Sequence, residues 1–135
     1  MSTSEDERGT GRLRRAAVVL VVEDDDGCRD EVRCVLQSAG YAVLEAVDGE
    51  QALHVLLSGR APEPTVIVLD MWLPRMSGQE LMRVLRNYHR LSRIPVVLTS
   101  ASHVFANYAE TKNVGWLPKP FAAEALLAQV SQRCV

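Results

Sequence analysis

The stretch TVIVLDMWLP, residues 65–74, decides how the rest of the chain is read. Val66 to Leu69 are apolar and mostly β-branched, the pattern of a strand buried on both faces, as strands of parallel sheets are. That strand ends on a bare carboxylate, Asp70, followed by Met71, Trp72 and, after Leu73, Pro74. Burying an unpartnered charge at the rim of a core costs several kcal/mol. Asp70 therefore demands a cationic neighbour or a chemical task.

The same texture recurs on either side. AAVVLVV (16–22), YAVLEA (41–46), IPVVLTS (94–100) and VGWLP (114–118) predict four more short strands,. Helical spacing fills the intervals. In 26–39, Val32, Val35, Leu36 and Ala39 mark one stripe, and Gly40 follows as a left-handed stop,. In 49–58, Ala52, Leu53, Val55, Leu56 and Leu57 supply an apolar face behind Asp48 as N-cap,. In 78–88, Leu81, Met82, Val84, Leu85 and Tyr88 do the same behind Ser77, and in 121–133 Ala125, Leu126, Leu127, Ala128 and Val130 form a last helix. The weakest pattern is ASHVFANYAETKN (101–113), where Val104, Phe105 and Tyr108 give a helix. Five strands alternating with five helices predict an α/β fold, doubly wound, with a parallel sheet covered on both faces.

The 135 residues suit one domain, and 47% apolar content is enough for a core without disulfide or metal staples,. A net charge of −2 gives no argument for a nucleic-acid footprint, and no segment approaches a membrane span,. Cys28, Cys34 and Cys134 form no C-x-x-C pair, so free thiols in a reducing cytoplasm are expected,. Residues 1–14 read as a disordered tail of Ser, Thr, Gly and charges of both signs, with no secretory core, leaving residues 15–135 as the domain,.

In a doubly wound sheet, ligands collect outside the carboxyl ends of the strands. Strand one ends in Glu23, Asp24, Asp25 and Asp26, strand three in Asp70, strand four in Thr99 and Ser100, and Lys119 follows strand five. Asp25 or Asp26 reads as a cap for the next helix. Glu23, Asp24 and Asp70 cannot converge as bare anions; one is protonated or a divalent cation joins them. Oxygen-only ligation suits Mg²⁺, which would also neutralise an incoming phosphoryl group. With Asp70 as nucleophile, Lys119 as a second positive charge and Thr99 and Ser100 as hydroxyl donors, the set could form an aspartyl phosphate.

VVLVVEDDDGCRDEVRCVLQSAGY, VIVLDMWLPRMSGQEL, IPVVLTSA and WLPKPF resemble, in order and interval, the receiver domain of two-component response regulators, over residues 16–133. The resemblance implies a flavodoxin-like, three-layer fold with strand order 2-1-3-4-5. It implies that Asp70 accepts a phosphoryl group from a histidine kinase or phosphotransfer protein. It also implies that Glu23 and Asp24 hold Mg²⁺ with Asp70 and the backbone carbonyl of Trp72. Thr99 would be the switch hydroxyl, Trp116 would occupy the aromatic switch position, and Lys119 would pair with the phosphate. Pro74 and Gly78 would shape the loop behind Asp70, and Lys119–Pro120 would be a cis peptide. Met71 and Trp72 would form part of an apolar lid. The output would be a downstream protein target, with no direct contact to nucleic acid or membrane. A homodimer through the strand-five face is one arrangement the family allows.

Four departures from the family pattern stand out. Glu23–Asp24 replaces the commoner Asp-Asp, Trp116 replaces Tyr or Phe, and the interval from Thr99 to Lys119 is about two residues short. Trp72 and Ala101 cannot guide water by hydrogen bonding, so slow self-dephosphorylation is expected. Trp116 and the short segment favour an alternative, a pseudo-receiver acting as a constitutive interaction module. Intact Asp70, Asp24, Thr99 and Lys119 oppose it. An aspartate-nucleophile phosphohydrolase would want a general acid where Trp72 stands. The sequence fits either a stand-alone receiver that works by docking or a fragment of a longer regulator.

Overall fold

The computed structural model describes residues 17–101 and 113–134. Five strands, β1 (Val18–Val22), β2 (Ala42–Ala46), β3 (Val66–Asp70), β4 (Val96–Ser100) and β5 (Val114–Pro118), form one sheet in the order β2-β1-β3-β4-β5. All four pairings are parallel. Among the described residues the helices are α1 (Asp26–Ser38), α2 (Gly49–Leu57), α3 (Gly78–Arg86) and α4 (Ala123–Arg133). A 3₁₀ turn, Leu91–Arg93, precedes β4. The helix expected within 101–113 and the tail expected over 1–14 lie outside the described residues.

Strand alternation divides the core into two layers. Leu20, Val22, Ile67, Leu69 and Leu98 pack with Ala52 and Leu56 of α2 and with Leu81, Met82 and Leu85 of α3. Val19, Val21, Val66, Val68 and Val97 point the other way, onto Val32 and Leu36 of α1 and Leu126 and Val130 of α4. Every residue of β3 and β4 is buried, as the apolar runs require,. Fully burying a side chain such as Ile67 or Leu98 contributes about 1.5–3 kcal/mol relative to leaving it exposed.

Local signals set the helix ends. The Asp25 side chain accepts from the Cys28 amide at 2.7 Å, and Asp48 does so from Gln51 at 2.7 Å. Ser77 and Glu80 form a reciprocal capping box,. Gly40, at φ +95°, follows α1 as the left-handed stop,.

Several apolar assignments need correction. Ala39 is exposed because it caps α1 after its last residue, Ser38, and Ala125, Ala128 and Leu57 are exposed because they lie round the helix from the buried residues of α4 and α2,. The helix begun at Ser77 ends at Arg86, so Tyr88 falls in the following turn with its ring exposed. The last helix starts at Ala123, two residues later than its pattern suggested.

Candidate functional site at the carboxyl edge of the sheet

Glu23, Asp70, Thr99 and Lys119 all stand at or just past strand ends on the carboxyl edge. Asp70 is the last residue of β3 and pairs in register with Thr99 of β4; both are buried. The Met71 amide donates to the Thr99 carbonyl at 2.9 Å, which carries the ladder one residue past Asp70. The Lys119 amide donates to the Ser100 carbonyl at 2.9 Å, which holds the β5 exit against β4. The Lys119–Pro120 peptide is cis.

Ligand oxygens of Glu23, Asp24 and Asp70 lie within 4.8 Å of one another, Glu23 and Asp70 buried and Asp24 exposed. The Lys119 ammonium donates to Glu23 Oε1 at 2.7 Å and to Asp70 Oδ2 at 3.3 Å. Asp70 Oδ1 accepts the Trp72 amide at 3.0 Å. One lysine therefore serves two carboxylates, with a third acid alongside.

The electrostatics follow from that count. Desolvation raises the Asp70 carboxyl to about 6, helped by the neighbouring Glu23 carboxylate and opposed by the Trp72 amide and Lys119,. Glu23 goes the other way. Burial acts to raise it, but the hydrogen bonds from Lys119 and the Asp25 amide outweigh that, and its carboxyl is lowered. Lys119 is desolvated too, yet Glu23 and Asp70 hold its ammonium above the usual lysine range. Cys28, at the start of α1, is pushed up to about 11 by burial and by Glu23, so its thiol stays protonated at neutral pH,.

The oxygen-only donor set of one exposed and two buried carboxylates fits a hard dication, which would keep Asp70 ionised where burial and Glu23 now oppose it,. A single lysine leaves the three acids with net negative charge, so the donor set and the charge balance agree.

Other expected residues take different places. Gly78, first residue of α3, lies against the backbone of Asp70; a Cβ there would meet the Asp70 carbonyl oxygen at 2.6 Å and Met71 Cα at 2.8 Å. Pro74 accepts from the Met76 amide at 2.6 Å, turning the loop. Trp116 pairs in register with Leu98 and packs, half-buried, on the core layer covered by α2 and α3. The lid reading of Met71 and Trp72 needs correction: Met71 is buried in that layer, whereas Trp72 is 56% exposed. One is part of the core and the other faces solvent, so the two do not form a single apolar cover.

Two arginines were not legible as part of this region. Arg29 of α1 donates to the Glu23 carbonyl at 2.9 Å and pairs with Asp26 at 2.6 Å and Glu45 at 3.1 Å. The spacing of Asp26 and Arg29 marks a helix-surface pair, but nothing in it signals the reach to Glu23. Arg75 pairs with the buried carboxylate of Asp48, 27 positions away.

Comparison with known proteins places the chain in a family. The family model for the response regulator receiver domain matches residues 19–131, and the chain belongs to that family. Among its relatives is the response regulator MprA of Mycolicibacterium vanbaalenii, 36% identical over 115 residues. That alignment covers 83% of this chain and 48% of the relative, so the chain spans about half the length of the curated relatives it matches. The chemotaxis response regulator CheY4 of Vibrio cholerae superposes with a TM-score of 0.75 at 31% identity, over 87% of this chain and 98% of that one. The receiver domain of the sensor histidine kinase PA1611 from Pseudomonas aeruginosa PAO1 does so with a TM-score of 0.76 at 25% identity, over 89% and 98%. That structure has a magnesium ion coordinated in its active-site cleft. No helix among the described residues is long and apolar enough to cross a membrane.

Proposed function

We propose that residues 15–135 form a phosphorylation-dependent switch in which Asp70 accepts a phosphoryl group from a histidine kinase or phosphotransfer protein. The observation that carries this reading is the meeting of Glu23, Asp24 and Asp70 within 4.8 Å, with Lys119 bonded to two of them. Glu23, Asp24, Asp70 and the Trp72 carbonyl would hold Mg²⁺, which when bound neutralises phosphoryl oxygens and keeps Asp70 ionised.

In the transfer, a carboxylate oxygen of Asp70 attacks phosphorus, the bond from phosphorus to the donor's imidazole nitrogen breaks, and that nitrogen takes up a proton. The Trp72 amide at Asp70 Oδ1 orients the carboxylate so that the other oxygen can attack,. Lys119 is poised to exchange one carboxylate contact for a phosphoryl oxygen,. Thr99, adjacent in register, supplies the hydroxyl that follows the new charge, and repacking of the β5 surface around Trp116 carries the signal to a protein target,. Neither the exposed Trp72 indole nor Ala101 can orient a water by accepting its proton, so the aspartyl phosphate should be long-lived. A phosphoryl group lost within seconds from purified protein would contradict that point.

Beryllofluoride with Mg²⁺ separates this switch from a constitutive interaction module that keeps only the fold. The switch gives a change in tryptophan fluorescence in wild type and none in Asp70→Asn. A wild type as unresponsive as Asp70→Asn would overturn the switch.

A further inference from the structure

Arg75 has φ +64°, in a region that non-glycine residues seldom adopt,. The Met76 amide closes onto the Pro74 carbonyl at 2.6 Å, so Arg75 is the centre of a γ-turn of the rarer, strained, positive-φ form,. Glycine would take this conformation at no steric cost. The presence of arginine there asks what its side chain does in return.

The side chain crosses to the β2–α2 connection. Asp48 there is buried and uses both oxygens: Oδ1 caps α2 through the Gln51 amide at 2.7 Å, and Oδ2 receives the Arg75 guanidinium. Arg75 Nε also lies 3.6 Å from Glu50. The next residue makes a second seam, since a Cβ on Gly49 would meet Met76 Sδ at 2.8 Å. On its far side the same connection is tied to the first acidic residue, with the Glu23 amide donating to the Ala46 carbonyl at 3.0 Å. The loop after Asp70 and the segment bonded to Glu23 are thus joined through the Arg75–Asp48 ion pair and the Met76–Gly49 contact.

We infer that Arg75 is a positioning residue: its pairing with Asp48 clasps the loop after Asp70 to the N-terminus of α2 and sets the spacing of Glu23, Asp70 and the Trp72 backbone. The inference rests on the phosphoacceptor reading above and deepens it. An exposed ion pair would be worth little. Here one partner is buried and shares its carboxylate with a helix cap, so losing the guanidinium leaves a buried anion short of a partner,.

The test uses Arg75→Gly, which relieves the turn and removes the clasp, Asp48→Asn, which keeps a capping oxygen, the double variant, and Arg75→Lys. Mg²⁺ affinity is read from intrinsic fluorescence, labelling rate from acetyl phosphate at saturating Mg²⁺, and loop order from hydrogen exchange of the Trp72 amide in metal-free protein. Arg75→Gly and Asp48→Asn should each weaken Mg²⁺ binding roughly fivefold, within the coupling range of residues in one network. They should also slow labelling and speed exchange at Trp72. The double variant should be no worse than Asp48→Asn, and Arg75→Lys should recover most of the loss. Arg75→Gly matching wild type in Mg²⁺ affinity and exchange would overturn the clasp, as would additive losses in the double variant. An unlabelled wild type whose Mg²⁺ affinity still falls in Arg75→Gly would refute the phosphoacceptor and support the clasp; a wild type blind to Mg²⁺ would refute both.

Discussion

At the carboxyl edge of the sheet, Glu23 and Asp70 are buried and Lys119 is held between them. At the amino edge, Arg86, His89, Arg90 and Arg93 stand in solvent in an acid-free run from Arg83 to Arg93. There, Arg90 pairs with exposed Glu63 from the loop before β3 and donates to the Leu56 carbonyl at 3.3 Å. Both edges are rich in charge, yet only the carboxyl edge buries its acids. Strand ends in a parallel sheet are pinned by neighbours on both sides, so acids there meet whether or not they attract. Charges on the connections before the strands can splay into water, where interaction is weak. The difference locates the chemistry where backbone register, rather than side-chain attraction, brings like charges together.

The comparison breaks most visibly through Gly78. Alanine there puts a methyl into the Asp70 carbonyl and Met71 Cα, both backbone atoms that cannot swing aside. Gly78→Ala should cost about 3 kcal/mol in urea unfolding, the upper part of the overpacking range, and should disturb the site with it.

Asp70 itself sharpens the contrast. Its ordinary pKa of 3.8 is raised to about 6 in the fold, so the native state keeps a proton that the unfolded chain has released. The group therefore costs nothing below about pH 4, and its cost grows to full size as the pH passes 6. Asp70→Asn should stabilise metal-free protein by about 2 kcal/mol at pH 7, and the gap from wild type should close between pH 6 and 4. Mg²⁺ should narrow the gap at pH 7. Equal stabilities across that range would remove the argument that the acids crowd one another.

The smallest effects belong to the amino edge. Arg90→Ala should change stability by no more than about 1 kcal/mol and Arg93→Ala by about 0.5 kcal/mol or less. Neither should move Mg²⁺ affinity. A large loss at either position would erase the distinction between the two edges.

Much of this architecture is legible in the residues themselves. VGWLP coincides with β5 at both ends, and Asp48, Ser77 and Gly40 bound their helices because capping and left-handed stops are local chemistry. The carboxyl-edge cluster is legible as well, since alternating elements leave few topologies and each puts strand ends on one rim. Tyr88 is misread because an apolar residue at helical spacing looks the same whether the helix continues or has given way to a turn. Met71 and Trp72 are misread because two adjacent apolar residues look alike in sequence, whereas one enters the core and the other stays exposed. The Arg75–Asp48 pair is invisible to any local pattern: it depends on a positive φ at an arginine and on two loops meeting across 27 positions.

Incubation with acetyl phosphate, with and without Mg²⁺, followed by mapping of the modified residue, addresses the central claim most directly. One phosphoryl group per chain on Asp70, dependent on Mg²⁺ and absent from Asp70→Asn, is the outcome the proposed switch predicts. Label of equal extent on Asp70→Asn, or none on wild type at saturating Mg²⁺, would contradict it.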